Sequence, residues 1–356
     1  MWNNVTGILV LLLNKNQMSR DDARLIMSWS LVHRLLPLAS GRLMAADALS
    51  AYRGRRDRIP HFCFRRVFNM MPLAAAHGWF NTVVPPPALA DAKRLGRNIK
   101  RTLLNKIRKT RWIRGALWYL MNSKIRALTL VIGYPDAVSS LTMLENFFLE
   151  FPDVHENFTA PFLASRRLMT LRHFRKSYQV DWNIIDGNAY YEPNRPAVYV
   201  YGNLLGPPAF IPDAPAAVNY GGLGQVVGHE LMHHLDPEFV TMDNYLRDVR
   251  FEKTPAKKLY AGKILCLRHS YYKAESESRA RTLDVFIDSE GFVDYAGLQV
   301  AYEAFKKLPE NERTATVPEL GLTADQIFFV SYCLKWCSTT PGTKRSPGSW
   351  YWHTRS

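Results

Sequence analysis

Between Val218 and Asp236 the chain reads V-N-Y-G-G-L-G-Q-V-V-G-H-E-L-M-H-H-L-D, and no other stretch constrains the fold so tightly. Its centre, His229 to His233, is the pattern H-E-x-x-H. On a helix, residues four apart share a face, so the two imidazoles converge on one point. That geometry suits two nitrogen ligands of a tetrahedral zinc, and Glu230, beside the first, can reach a water molecule there as a general base. An amphipathic helix that merely carries histidines reads the same over five residues, so the surroundings decide.

The 356 residues have room for two or three domains, and at 47% hydrophobic they can bury a sizeable core. A formal charge of +15 admits a polyanion partner, but net charge bears on solubility and non-specific binding rather than fold. Cys63, Cys266, Cys333 and Cys337 are too few for a disulfide scaffold and lack C-x-x-C spacing. Cys333 and Cys337 would share a helical face, as buried thiols or as a disulfide. Asn4 and Asn157 head N-x-S/T sequons. The apolar run Val5 to Leu13 is too short for a membrane span and lacks the flanks of an export signal, so it reads as a core strand or helix piece.

Residues 20 to 80 read as helical, with Leu25, Trp29, Val32 and Leu36 spaced as a core-facing stripe. Pro60, Pro72 and Pro85 to Pro87 punctuate the region. From Lys93 to Arg114 there are ten Lys/Arg and no acid, and Leu95, Ile99, Leu103 and Ile107 step by four. This is a basic amphipathic helix, read as a solvated surface helix rather than a nucleic-acid or anionic-lipid patch, because no base-stacking aromatics interleave with the charges. A second helix spans roughly Trp112 to Val131 and ends at G-Y-P-D, Gly133 to Asp136. Glu145 to Tyr178 reads as helix broken near Phe151–Pro152 and Pro161. Trp182 to Tyr191 and Ala197 to Tyr201 then alternate as a hairpin-like pair of strands. Lys257 to Lys273 and the glycine-punctuated Ser276 to Phe305 are further helical stretches, and Ser338 to Ser356 reads as a frayed tail.

Two histidines need at least one further ligand. Glu290 and Asp294 lie four apart, hence on one helical face, so that Glu290 would bind the metal while Asp294 accepts a hydrogen bond from a ligand histidine. Asp284 with Asp288, and Glu277, compete on spacing alone.

Several motifs in order resemble the C-terminal half of the neprilysin/endothelin-converting-enzyme family of zinc metallopeptidases. They are I-G-Y-P-D (Ile132 to Asp136), N-A-Y-Y (Asn188 to Tyr191), N-Y-G-G-x-G (Asn219 to Gly224), G-H-E-L-M-H (Gly228 to His233), Glu290 with Asp294, and F-F-V-S-Y-C-L-K-W-C (Phe328 to Cys337). The resemblance covers roughly residues 20 to 337 and is dense from 182 to 305. It implies that His229, His233 and Glu290 bind one zinc per chain, that Glu230 is catalytic, and that Asp294, with Asp236, supports the ligands. It places Asn188 and Ala189 on an edge strand that holds the substrate backbone. Leu204, Val226 and Trp336 match an apolar pocket beyond the scissile bond, widened where Ala209 replaces an aromatic residue. Cys266 and Cys337 match cysteines that are disulfide-bonded in the family. The family's histidine and arginine that serve the oxyanion have no matching motif here, and His353 and Arg355 are not assigned those roles.

The expected fold is therefore mainly α with a small β-sheet (α+β), a thermolysin-like zinc-peptidase lobe with the remnant of a helical cap lobe. Residues 1–109 would form the remnant, 110–337 the catalytic domain and 338–356 a disordered tail. The expected function is a zinc metalloendopeptidase cutting extracellular peptides on the amino side of hydrophobic residues. The alternative is a catalytically inactive relative that binds peptides or proteins. Peptides are the expected partners, with no nucleic acid and no transmembrane segment. The resemblance implies an extracellular or cell-surface setting.

Overall fold

The computed structural model describes residues 19–51, 54–135, 138–153, 159–174, 188–244, 247, 255–271 and 285–337. Val5 to Leu13, both sequons, residues 182–187, Glu277, Asp284, the tail from Ser338, and with it His353 and Arg355, lie outside them. The described fold is mostly helical with one small sheet, as the sequence implied. Two compact units are present, one within Met1–Ala75 and Thr142–Val180, the other within Ala76–Leu141 and Asp181–Ser356. Residue 110, the expected boundary, lies inside the second unit.

The first unit is built from α1 (Arg20–Ala39), α2 (Gly41–Ala51), α3 (Ile59–Met70) and the start of α4 (Pro72–Val83), with α7 (Leu141–Phe148) and α8 (Thr159–Phe174) supplied by the later segment. Pro60 and Pro72 sit in the first turns of α3 and α4, where a missing N–H costs nothing. Ser19 and Asp22 close a reciprocal capping box at the start of α1. The stripe on α1 does not face a core: Leu25, Trp29, Val32 and Leu36 are 44–69% exposed. Local capping and periodicity form this helix, and no described neighbour covers its apolar side. The buried side chains of the unit include Phe62, Phe68, Leu73 and Met169, with Arg66 paired to Asp47 at 2.7 Å.

In the second unit the basic helix is α5 (Pro86–Lys109), and its stripe Leu95, Ile99, Leu103 and Ile107 is buried as the spacing predicts. Burying each such side chain stabilises by about 1.5–3 kcal/mol. Three of its cations serve the fold. Lys100 caps the Leu128 carbonyl at 2.5 Å, Lys106 meets Glu303 at 3.0 Å and Arg94 meets Glu312 at 2.8 Å.

The next helix, α6 (Gly115–Ala127), ends earlier than its periodicity suggests. Leu128 is extended, and Thr129–Ile132 forms β1, which pairs in parallel with β3 (Ala197–Val200). The β-branched composition of T-L-V-I favours this strand once a partner exists. On the other side of β3, β2 (Ala189–Glu192) pairs antiparallel with Ala189 opposite Val200, giving the order β1-β3-β2 and leaving β2 at an edge.

Beyond the sheet come α9 (Ala216–Gly221), α10 (Leu223–His233), α11 (Pro255–Tyr271), α12 (Val285–Lys306), the short α13 (Glu310–Arg313) and α14 (Ala324–Leu334). α12 runs unbroken through Gly291 and Gly297 despite the expected punctuation. Thr323 and Gln326 cap α14 reciprocally. All four cysteines are described and none is in a disulfide. Among the described residues no helix is long and apolar enough to cross a membrane.

Candidate metal centre

The H-E-x-x-H segment is the helix α10, buried along its length except for the half-buried Val226 and His233. Its start is fixed from outside: Leu223 N donates to Ala209 O at 2.6 Å. Asn219 of the N-Y-G-G motif bridges both backbone groups of Ile211, at 2.8 and 2.9 Å. α10 packs against α12, α5, α9 and both strands of the hairpin.

The crossing of α10 and α12 is a backbone contact. A Cβ on Gly228 would stand 2.4 Å from Gly297 O, and one on Gly297 would stand 2.5 Å from His229 N. Two glycines therefore let the helix axes approach closely, which brings Glu290 and Asp294 of α12 against the histidines of α10.

At that crossing His229, His233 and Glu290 converge, each offering one ligand atom within 4.8 Å of the others. His229 Nε2 and His233 Nε2 are 3.1 Å apart, and the Glu290 oxygens lie 3.5 and 3.8 Å from them. Tetrahedral zinc with nitrogens about 2.0–2.1 Å away holds its ligand atoms roughly 3.3 Å apart, so the spacing fits. The far side of each ring is committed as well. His229 Nδ1 donates to Asp294 at 2.8 Å and His233 Nδ1 to Asp236 at 3.0 Å. With a proton on each Nδ1, two Nε2 lone pairs point at one another and at a carboxylate, an arrangement that a cation reconciles.

The field at the cluster favours positive charge, whether a metal ion or, in its place, a second proton on His233. Burial pulls the His233 pKa down, but the Asp236 hydrogen bond and the charges of Glu230, Asp236 and Glu290 outweigh it and raise the value to about 9. Glu230 itself is 7% exposed, next to the cluster and outside the ligand trio. Of the competing acids, Asp288 is taken by Arg268, which donates to it from Nε at 2.6 Å, and Asp284 and Glu277 are not among the described residues.

Asp236 is fully buried, and its Oδ1 accepts the Glu238 and Phe239 amides at 2.9 and 3.0 Å. Its Oδ2 accepts from Ser289 Oγ, the neighbour of Glu290, so the loop after α10 is tied to α12 by a polar link. The loop behind it is clamped three ways. Lys124 Nζ donates to Phe239 O and Met242 O at 2.7 Å each, Tyr260 OH to Leu235 O at 2.8 Å, and Tyr191 OH to His234 Nδ1 at 2.5 Å. Burial, aided by the Lys124 charge, lowers the His234 pKa to about 3, so this third histidine stays neutral and holds β2 to the loop. The sequence did not single out Ser289 or Lys124, because neither belongs to a pattern of its own, and it offered Tyr191 only as the end of N-A-Y-Y, with no role attached.

The residues expected to hold a peptide fall as follows. Asn188 is exposed and its carbonyl accepts from Tyr201 N at 3.3 Å. By the alternation of strand backbones, Ala189 turns its N–H and C=O to the open edge of β2. Val226 lies one turn ahead of Glu230 on α10, Leu204 is half-buried in the turn Gly202–Leu205 after β3, and Trp336 follows α14 with 38% exposure. Lys335, next to Trp336, donates to Gln225 Oε1, next to Val226, so these two segments adjoin.

A model of peptidase family M13 matches residues 188–350. Mouse endothelin-converting enzyme 1 is 25% identical over 328 residues, which is 88% of this chain and 42% of that protein. Neprilysin-11 of Caenorhabditis elegans is 24% identical over 304 residues, 82% of this chain and 36% of its own length. The chain thus spans less than half the length of these relatives. Among solved structures, the open state of the Mycobacterium tuberculosis zinc metalloprotease Zmp1 superposes with a TM-score of 0.67 at 23% identity, over 89% of this chain and 50% of that one. PepO of Lactobacillus rhamnosis superposes at 0.54 with 21% identity, over 74% and 40%. The structural likeness concerns the fold, and the match to the M13 family model takes in β2, α10 and α12, the elements that build the cluster.

Proposed function

We propose that this chain is the catalytic part of a zinc-dependent metalloendopeptidase that hydrolyses extracellular peptides on the amino side of hydrophobic residues. The observation that carries the reading is the convergence of His229, His233 and Glu290, with both rings oriented from behind by carboxylates. His229 Nε2, His233 Nε2 and a Glu290 oxygen would hold the ion. Zinc bound there supplies Lewis acidity, bringing the pKa of water towards about 7 and polarising the scissile carbonyl.

The chain's own residues do the rest. Glu230 accepts the proton of the attacking water and returns it to the leaving amine. Asp294 and Asp236 hold the imidazoles in the tautomer that turns Nε2 to the ion. The open edge of β2 at Asn188 and Ala189 adds the substrate as a further strand, and Leu204, Val226 and Trp336 line the pocket for the side chain that follows the cut. The family M13 match and the relatives' names support the reaction class; the setting rests on resemblance alone.

The full chain is expected to bind about one zinc and to cleave a mixed peptide library only when loaded. Phenanthroline should abolish cleavage and added zinc restore it. Full zinc occupancy with no turnover would favour the inactive, peptide-binding alternative. Asp294→Asn should keep the fold and raise the zinc dissociation constant about 10–100-fold in a chelator competition assay. An unchanged constant would remove Asp294 from this role.

A further inference from the structure

Lys335 is a cation enclosed without a counter-ion. Its ammonium donates to Gly222 O at 3.2 Å and to Gln225 Oε1, and lies 4.9 Å from the Tyr332 ring centre and 5.4 Å from that of Trp336. Among the described residues no carboxylate pairs with it. Asp294 acts on it only at longer range and is already bound to His229. Burial lowers the Lys335 pKa to about 7, against the raising charge of Asp294. Enclosed charges are ordinarily paired, because two neutral oxygens replace only part of the lost hydration.

Gln225 shows the same deficit. It is 1% exposed, its Oε1 is used by Lys335, and its Nε2 is buried with no described acceptor. A buried donor left unmade costs about 1–3 kcal/mol. Gln225 is four residues before His229 on α10, so its amide stands on the same face, one turn from the metal cluster. Two adjacent donors, one of them charged, both short of an acceptor, and both next to the expected side-chain pocket at Val226 and Trp336, describe a receptor for a group with two anionic oxygens.

We propose that Lys335 and Gln225 form a carboxylate-recognition subsite beside the metal cluster, selecting peptides that bring a carboxylate close to the bond attacked. The group is either an acidic side chain or a free C-terminal carboxylate; both offer the same acceptor pair to the same donors. The apolar pocket implied by the resemblance thereby acquires a polar end, and the preference for a hydrophobic residue after the cut becomes conditional on a nearby acid. This rests on the metal-peptidase reading of the cluster.

The test uses the full chain, zinc-loaded, with Glu230→Gln added so that peptides bind without being cut. Three matched fluorescent peptide sets are titrated by anisotropy: neutral with a C-terminal amide; the same with glutamate placed at each position in turn; and neutral with a free C-terminus. The expected result is that one glutamate position, or the free C-terminus, binds about tenfold or more tightly than the neutral amide. The first outcome assigns the side chain, the second the chain end. Adding Lys335→Met should bring the ratio to within about twofold, while Lys335→Arg keeps most of it. Lys335→Gln serves the same purpose should the methionine variant not fold. Equal binding of all sets, no binding of any peptide, or a preference that survives loss of the lysine charge overturns the inference. A carboxylate preference in a chain that, with Glu230 intact, cuts nothing would uphold the subsite and sink the hydrolase.

Discussion

The Glu230→Gln substitution is expected to lower peptide turnover about 10²–10⁴-fold while leaving zinc content at one per chain. Glutamine keeps the volume and most of the hydrogen-bonding reach of glutamate, and Glu230 lies outside the trio that would hold the metal. It cannot take a proton from water. The site still binds substrate and ion, so the loss falls on kcat rather than on KM. Glu230 is buried and its charge bears on His233, which places the carboxylate in the neighbourhood of the cluster. Activity retained by the variant, with zinc bound, would show that the proton is handled elsewhere.

The parts of this site that were legible in the sequence are those whose chemistry is local. Two histidines four apart are on one face of any helix, and α10 is such a helix. The prolines that punctuate the chain before helices and the stripe of α5 are likewise decided within a turn or two. What could not be read is which distant surface each local pattern meets. The stripes of α1 and α5 both recur at helical spacing, yet one is exposed and the other is core, because periodicity describes a face and not its partner. β1 read as the end of a helix because its partner strand β3 is far along the chain, and a short apolar run is ambiguous until that pairing is known.

The third ligand illustrates the same limit. Spacing left Glu290, Asp284, Asp288 and Glu277 in competition, and motif resemblance chose among them. The structure gives a physical ground for passing over Asp288: Arg268 neutralises it, whereas Glu290 and Asp294 lie where α12 crosses α10. Lys335 and Gln225 lie inside motif-bearing stretches of the sequence but carry no role there, and only their surroundings in the fold expose them as donors in want of an acceptor.

The crossing itself yields the other large effect. Gly297→Ala is expected to destabilise the second unit by about 1–3 kcal/mol and to cut activity on the order of 10²-fold. The added methyl would sit 2.5 Å from His229 N, 2.7 Å from Gly228 C and 2.8 Å from His229 Cα. All three are backbone atoms and cannot rotate away, so α12 must move off α10. Glu290 is two turns along the same helix and would move with it, whereas a metal site tolerates only about 0.2 Å in its ligand distances. Zinc affinity should therefore fall together with the melting temperature, the latter by about 2–4 °C for each kcal/mol lost. Gly262→Ala on α11 is the control: no atom lies within 4 Å of its methyl, and helix propensity alone should make it neutral or stabilising by about 0.5–1 kcal/mol. If Gly297→Ala behaved like Gly262→Ala, with zinc affinity intact, the close crossing would not be what positions Glu290.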